Sequence, residues 1–265
     1  MIRTLTTANV GPYQNIDVSF AERLNLITGD NGLGKSFLLD IIWYAMTHQW
    51  PGVVNPHLKR GTIARQTLAT AKSTIEAQIP GLQKEANTRA TFSPDTDRWT
   101  FSKDNPVTPG LILYVMADGS CAIYDAERPC RTQHEQTPQA LFLTNKEVYN
   151  GLNGVGDAIL CNGMITDLST WSDSQSYGYL ANQMNGVLKA LSPLGETYSA
   201  GLPMRVDVND SRRIPTINMP YGVTVPITQA SSGIQRIAEL AYMLVGLLTN
   251  MLKSLNSKER RSTLA

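Results

Sequence analysis

Apolar and polar positions alternate through the first segments of the chain. "IRTLTTANV" and "NIDVSF", separated by the turn "GPYQ", predict an antiparallel strand pair. The next run, "LNLITG", carries Leu24, Leu26 and Ile27 without clean alternation, which predicts a strand buried on both faces of a sheet. After a cluster of glycines, "KSFLLDIIWYAMTHQW" places Phe37, Leu38, Ile41, Ile42, Ala45 and Met46 at helical spacing. The order is therefore strand, glycine turn, helix.

Farther along, the segment 52–68 holds Lys59, Arg60 and Arg65 among Gly and Pro and reads as a connection or a short surface helix. From Ser73 to Arg128 the pattern is that of antiparallel strands: "STIEAQI", "TRATFSPDTDRWTFS" and "GLILYVMADGSCAIYDAER", with Asp118-Gly119 as a hairpin turn. "ALFLT" adds a strand. The stretch from "NKEVYNGL" to "YGYLANQMNGVLKALSP" predicts mostly helix until Pro193, and "RRIPTINMPYGVTVPI" predicts a strand pair. The last long helix begins at "SSGIQR" and sets Ile237, Leu240, Ala241, Leu244, Leu248 and Leu252 along one face. No repeat, low-complexity tract or sustained heptad run is present.

Composition narrows the picture only in part. The 265 residues suffice for one large or two modest domains, and 42% hydrophobic residues support a sizeable core. A net charge of +1 gives no global attraction to nucleic acid or membrane. Cys121, Cys130 and Cys161 lack zinc-site spacing, as do the scattered His48, His57 and His134, which fits a reducing cytosol. With no run of ~20 apolar residues and no signal-peptide pattern at the start, the expectation is a soluble, cytoplasmic protein without membrane partners.

The glycine cluster changes the picture more. Gly29, Gly34, Lys35 and Ser36 in "GDNGLGKS" fit G-x-x-x-x-G-K-[ST] between a predicted strand and a predicted helix. Glycines let the backbone N–H groups of a loop wrap a phosphate, and the helix N-terminus adds its dipole. The Lys ammonium spans phosphates, and the Ser hydroxyl ligates magnesium. Near the far end, "ASSGIQR", residues 230–236, places serines and a glycine at the start of a helix. That arrangement is either an anion site in its own right or an ordinary Ser cap.

Together, "IRTLTTANVGPYQNIDVSFAERLNLITGDNGLGKSFLLDIIWYAM" and "ASSGIQR" resemble the RecF/SMC/OLD-like branch of ABC-type ATPases, an AAA family ATPase of the kind also found in bacterial anti-phage systems. The family pattern N-x-x-x-G-x-N-G-x-G-K-S falls on Asn25, Gly29, Asn31, Gly32, Gly34, Lys35 and Ser36. The family's L-S-G-G-Q-x-R signature matches at Ser231, Gly233 and Arg236 and departs at Ala230, Ser232 and Ile234. The absence of a coiled-coil arm favours a compact OLD-like or RecF-like protein.

The resemblance implies an α/β P-loop NTPase of ABC-ATPase type, with a mixed core sheet, an antiparallel β-subdomain and a helical subdomain. Within a single domain over 1–265, the expected parts are 1–50 (strand pair and phosphate loop), 70–145 (antiparallel β), 146–193 (helical) and 204–255 (hairpin and signature helix). It implies ATP and Mg2+ as cofactors. Gly29, Asn31, Gly32, Leu33, Gly34, Lys35, Ser36 and Phe37 would hold the ATP phosphates, and Ser36 with Asn145 the magnesium. Ser231, Ser232 and Gly233 would meet a nucleotide held by a second head, so a homodimer is expected, with an effector such as a nuclease, or DNA, as further partners.

Tyr13 reads as a partly buried turn tyrosine or an adenine-stacking residue, Trp43 and Tyr44 as core, and Arg212 and Arg213 as a solvated hairpin pair or a contact for phosphate or DNA. The family's Asp-Glu after the signature helix is not found before Ala265, and Glu239 lies in the wrong context to replace it. The expectation is thus a fragment of a longer protein, or else a head that binds ATP with negligible turnover. The function implied is an ATP-dependent dimerisation switch in a DNA-repair-like or phage-defence system. The alternatives are a non-hydrolysing nucleotide sensor or scaffold acting through a partner, and a small-molecule kinase, which leaves "SSGIQR" unexplained.

Overall fold

The computed structural model describes residues 2–11, 13–51, 72–80, 85–96, 98–102, 110–125, 140–153, 159–173 and 178–246. The chain divides into two units, Met1–Leu143 and Thr144–Ala265.

In the first unit, β1 (Thr4–Val10) and β2 (Tyr13–Ser19) form the expected hairpin, with Thr4 opposite Ser19 and Val10 opposite Tyr13. On its other edge β1 pairs with β3 (Thr74–Pro80), followed by β4 (Glu85–Ser93) and β5 (Arg98–Phe101), giving the sheet order β2-β1-β3-β4-β5. A second sheet contains β6 (Leu111–Val115), β7 (Cys121–Asp125) and β8 (Leu141–Leu143). Its first turn is the Asp118-Gly119 turn, where Gly119 has φ +96° and the Asp118 carboxylate accepts from the Ser120 N–H at 2.9 Å. All pairings in both sheets are antiparallel among the described residues.

Helix α1 (Lys35–Thr47) is fixed by packing on two faces. Ile41, Tyr44 and Ala45 join Leu5, Val10, Ile75, Ile79 and Ala90 in the core of the five-stranded sheet. Trp43 instead packs with Ala122 and Tyr124 of the second sheet. Asp40 accepts a 2.8 Å hydrogen bond from the Tyr114 hydroxyl, and burial still raises its pKa. Trp43 and Tyr44 are thus core residues, as the sequence predicts. The segment 52–68 and its basic residues lie outside the described residues.

The stretch Leu24–Thr28 departs from expectation. It forms no strand, and Leu24 and Leu26 are 81% and 85% exposed. The apolar run is compatible with a doubly covered strand, but no described strand pairs with it to supply the covering. Its inward side, at Asn25 and Ile27, meets Leu39, Ile42 and Met46 of α1 across an apolar cleft of about 380 Å³.

The second unit contains α2 (Asn145–Asn150), a short hairpin of β9 (Leu152–Asn153) and β10 (Ile159–Cys161), then α3 (Met164–Asp173) and α4 (Gly178–Leu191). A three-stranded sheet follows, β11 (Ser199–Met204), β12 (Ile214–Asn218) and β13 (Thr224–Pro226), and then helix α5 over 232–246. The hairpin interrupts the stretch read as mostly helix. Strand β11 was not anticipated, because "SAGLPM" holds a glycine and a proline, both poor strand residues.

Helix α5 also turns differently from the expected face. Its buried residues are Ile234, Ala238, Glu239, Ala241, Tyr242, Met243 and Val245, whereas Ile237, Leu240 and Leu244 are only half-buried. Ala238 and Ala241 are fully buried, and Tyr242 donates to Asp167 of α3 at 2.8 Å. These small and polar contacts set the rotation that a leucine count missed. Leu248 and Leu252 lie outside the described residues.

Candidate nucleotide-binding site

The loop 29–34 turns on glycines in conformations other residues avoid: Gly29 has φ +148°, Gly32 +85° and Gly34 +75°. A side chain at Gly32 would meet nothing within 4 Å, so its demand is conformational. Gly34 stands at the N-cap of α1, with no side-chain cap and no acidic residue in the first turn. The first N–H groups of this helix therefore lack an acceptor from a cap, and the helix dipole concentrates positive potential there. Asn31, Gly32, Leu33 and Ser36 are exposed on this loop and first turn.

Lys35 folds back over the loop. Its Nζ donates to the Gly29 carbonyl at 2.7 Å and the Asp30 carbonyl at 2.6 Å. Those two acceptors hold the ammonium against the backbone of the loop. Phe37 plays a packing role in addition to offering its N–H: Gly11, at φ +69°, sits so close that a Cβ there would lie 2.2 Å from the Phe37 ring. The β1–β2 turn thereby clamps the first turn of α1 next to the glycine loop. Tyr13 opens β2 beside that clamp.

In the second unit, Ser231, Ser232 and Gly233 are all exposed where α5 begins. Beneath them Gln235 donates to the carbonyls of Ile227 at 3.2 Å and Thr228 at 3.1 Å, fixing the 3-10 turn Ile227–Gln229 that leads in. A Cβ at Gly233 meets nothing within 4 Å, so none of the described residues of this unit requires glycine there. Gly233→Ala is accordingly expected to keep or raise the melting temperature, by up to about 1 kcal/mol of stability. Differential scanning fluorimetry checks this; a loss of stability would show an internal constraint on Gly233.

Asn145 is the first residue of α2, and the cap is Thr144, whose hydroxyl and Glu147 form a reciprocal capping box. Freed from capping, the Asn145 carboxamide donates through Nδ2 to Glu239 Oε1 at 2.7 Å. The other Glu239 oxygen accepts from Arg236 Nη1 at 2.9 Å. Both oxygens of this buried carboxylate, 4% exposed, are engaged, and neither is left to polarise a water. Sequence reading missed this partnership. Its one trace was an acidic residue among Ala238, Ala241 and Tyr242 on the buried face of a helix.

Arg212 and Arg213 are exposed and paired, the first with Asp210 at 2.8 Å and the second with Asp173. The carboxyl of Asp210 is held down to about 2, chiefly by the hydrogen bond from the Arg212 side chain. Among the described residues there is no grouping of three or more His, Cys, Asp or Glu able to hold a metal ion, and no helix is long and apolar enough to cross a membrane. Ser36 in the first unit and Asn145 in the second each carry an uncharged oxygen of the kind a hard cation accepts.

Three solved structures are similar at low identity. The SMC head domain from Thermotoga maritima is 11% identical over 92% of this chain and 72% of that chain, with a TM-score of 0.38. An SMC head bound to the C-winged helix domain of ScpA is 15% identical over 92% and 75%, with a TM-score of 0.43. The recombination mediator RecF with ATP is 11% identical over 92% and 79%, with a TM-score of 0.37. No curated protein sequence matches the chain. Residues 4–141, more than half of the chain, match the AAA domain family, and this stretch contains the glycine loop, Lys35, Ser36 and the whole of α1. The chain therefore belongs to the AAA domain family.

Proposed function

We propose that this chain is an ATP-binding head of ABC type that dimerises around nucleotide. The phosphate loop holds ATP in cis, and Ser231, Ser232 and Gly233 contact the ATP of a second copy. The observation that carries the reading is Lys35, whose ammonium rests on two loop carbonyls at an uncapped, glycine-turned helix N-terminus. Exchange of those neutral acceptors for phosphate oxygens gives shorter, charge-assisted hydrogen bonds. Backbone N–H groups from Gly32 to Phe37 complete the cradle, and the serines and open N-terminus of α5 supply a second, outward-facing anion surface. Bound Mg2+ would supply charge neutralisation between the phosphates, with Ser36 and Asn145 as its contacts from this chain.

The exposed Gly233 supports the trans assignment, because close approach of another molecule's phosphate explains a glycine that the described residues of its own unit do not need. Gly233→Glu tests this. Glutamate fits the open space and suits a helix N-terminus, so folding is expected to persist, yet its charge faces incoming phosphate. Light scattering with ATP should show the unsubstituted chain doubling from 29.1 kDa and the variant remaining at that mass. A variant that still doubles with ATP would remove Gly233 from the interface. A compact, OLD-like or RecF-like head of this kind would act as a cytoplasmic switch in DNA repair or phage defence, moving an effector such as a nuclease.

A further inference from the structure

Glu239 is a buried carboxylate that the phosphate loop and the outward serines do not use. It joins two separate elements: Asn145 at the start of α2, through Oε1 at 2.7 Å, and Arg236 on its own helix α5, through Oε2 at 2.9 Å. The Tyr149 phenol lies buried beside it, its pKa raised first by burial and next by the Glu239 charge. A carboxylate accepts and does not donate, so the contact fixes which way the Asn145 amide faces: Nδ2 toward Glu239 and Oδ1 away from it. The bond is charge-assisted, and drawing on the amide N–H enriches the electron density of Oδ1.

We infer that Glu239 is a positioning residue for Asn145, holding the carboxamide with its oxygen presented as a cation ligand and tying that orientation, through Arg236, to the helix that carries Ser231, Ser232 and Gly233. This rests on the proposed reading of Asn145 as a contact of the nucleotide's magnesium. Outer partners of this type orient the ligand and raise its basicity, and their loss costs metal affinity about 10- to 100-fold. The arrangement gives α5 a direct connection to the state of α2: withdrawal of Asn145 leaves one oxygen of a buried carboxylate without its donor.

The test measures the affinity of a ribose-labelled fluorescent ATP in Mg2+ and in EDTA, for the full chain and for Asn145→Ala, Glu239→Gln and the double variant. Magnesium is expected to tighten binding by the unsubstituted chain. Each single variant is expected to lose about 10-fold of that tightening while its EDTA affinity stays put, and the double variant is expected to lose no more than either. Should Glu239→Gln fail to fold, Glu239→Asp keeps the charge but draws the carboxylate back from Asn145, and the same loss is expected.

Full magnesium dependence in the Glu239 variants, additive losses in the double variant, or no effect of Asn145→Ala would each overturn the inference. So would a variant that melts early yet keeps the magnesium ratio, which is the mark of a purely structural contact. Lys35-dependent ATP binding in EDTA reports on the phosphate loop separately. If it persists while magnesium changes nothing, only the Glu239 inference falls; if it is absent, the nucleotide-binding reading falls with it.

Discussion

Lys35→Ala is expected to weaken ATP binding by on the order of 100-fold, because it removes charge-assisted hydrogen bonds to phosphate worth roughly 2–3 kcal/mol. The fold should survive. Among the described residues, Lys35 Nζ bonds to the exposed carbonyls of Gly29 and Asp30, and water satisfies those once the side chain is gone. Helix α1 is held from its far turns, where Ile41, Trp43 and Ala45 are almost wholly buried between two sheets. The variant's melting temperature without nucleotide is therefore expected to match the parent's, and isothermal titration with ATP should show the loss of affinity. Unchanged affinity would mean that the loop does not grip phosphate through Lys35.

Gly163→Ala is the substitution expected to do most damage to folding. Gly163 precedes α3 with φ +85°, and a Cβ there would lie 2.3 Å from the Gly151 nitrogen, 2.5 Å from the Asn150 carbonyl carbon and 2.7 Å from the Tyr149 oxygen. Those atoms are backbone at the end of α2 and have no rotamer to change. Gly151, at φ +94°, is pressed in return against the carbonyls of Cys161 and Asn162. Positive φ costs an alanine roughly 1–2 kcal/mol, and the overlap adds about as much again or more, so the loss is about 3 kcal/mol or greater. The melting temperature, followed by tryptophan fluorescence, should fall by about 10 °C. Gly186→Ala is the built-in control: it lies within α4 and its Cβ meets nothing, so a small gain is expected. Equal effects at the two positions would contradict the packing account.

How much of this was legible in the sequence differs by residue. The glycine loop and α1 were, because a phosphate loop imposes local demands: glycines at fixed offsets, then Lys and Ser, then apolar residues at helical period. The turn at Asp118-Gly119 was legible for the same reason, since two adjacent residues define it. Leu24, Leu26 and Ile27 show the limit of such patterns. They specify a segment suited to burial on both sides, but the covering must come from other strands, about which an apolar run carries no information. The rotation of α5 was missed because alanines, a tyrosine and a buried Glu239 decide it, while periodicity weights leucines. The Asn145–Glu239 bond spans 94 residues and unites two polar side chains that, read singly, suggest a cap and a surface charge. Gly151 and Gly163 likewise show their purpose only once their backbones meet.

Membership of the AAA domain family and the geometry of the loop concern one chain, whereas the shared site requires two. The most direct test of the shared site mixes two variants, each defective alone. Lys35→Ala disables a copy's own phosphate loop, and Gly233→Glu disables the surface it offers to its partner. In a mixed dimer one nucleotide site inherits both lesions and the other inherits neither. The account predicts that equimolar mixing restores ATP-dependent dimers by light scattering, with one nucleotide retained per pair. Two folded variants that stay monomeric with ATP when mixed, beside an unsubstituted chain that dimerises, would contradict the account.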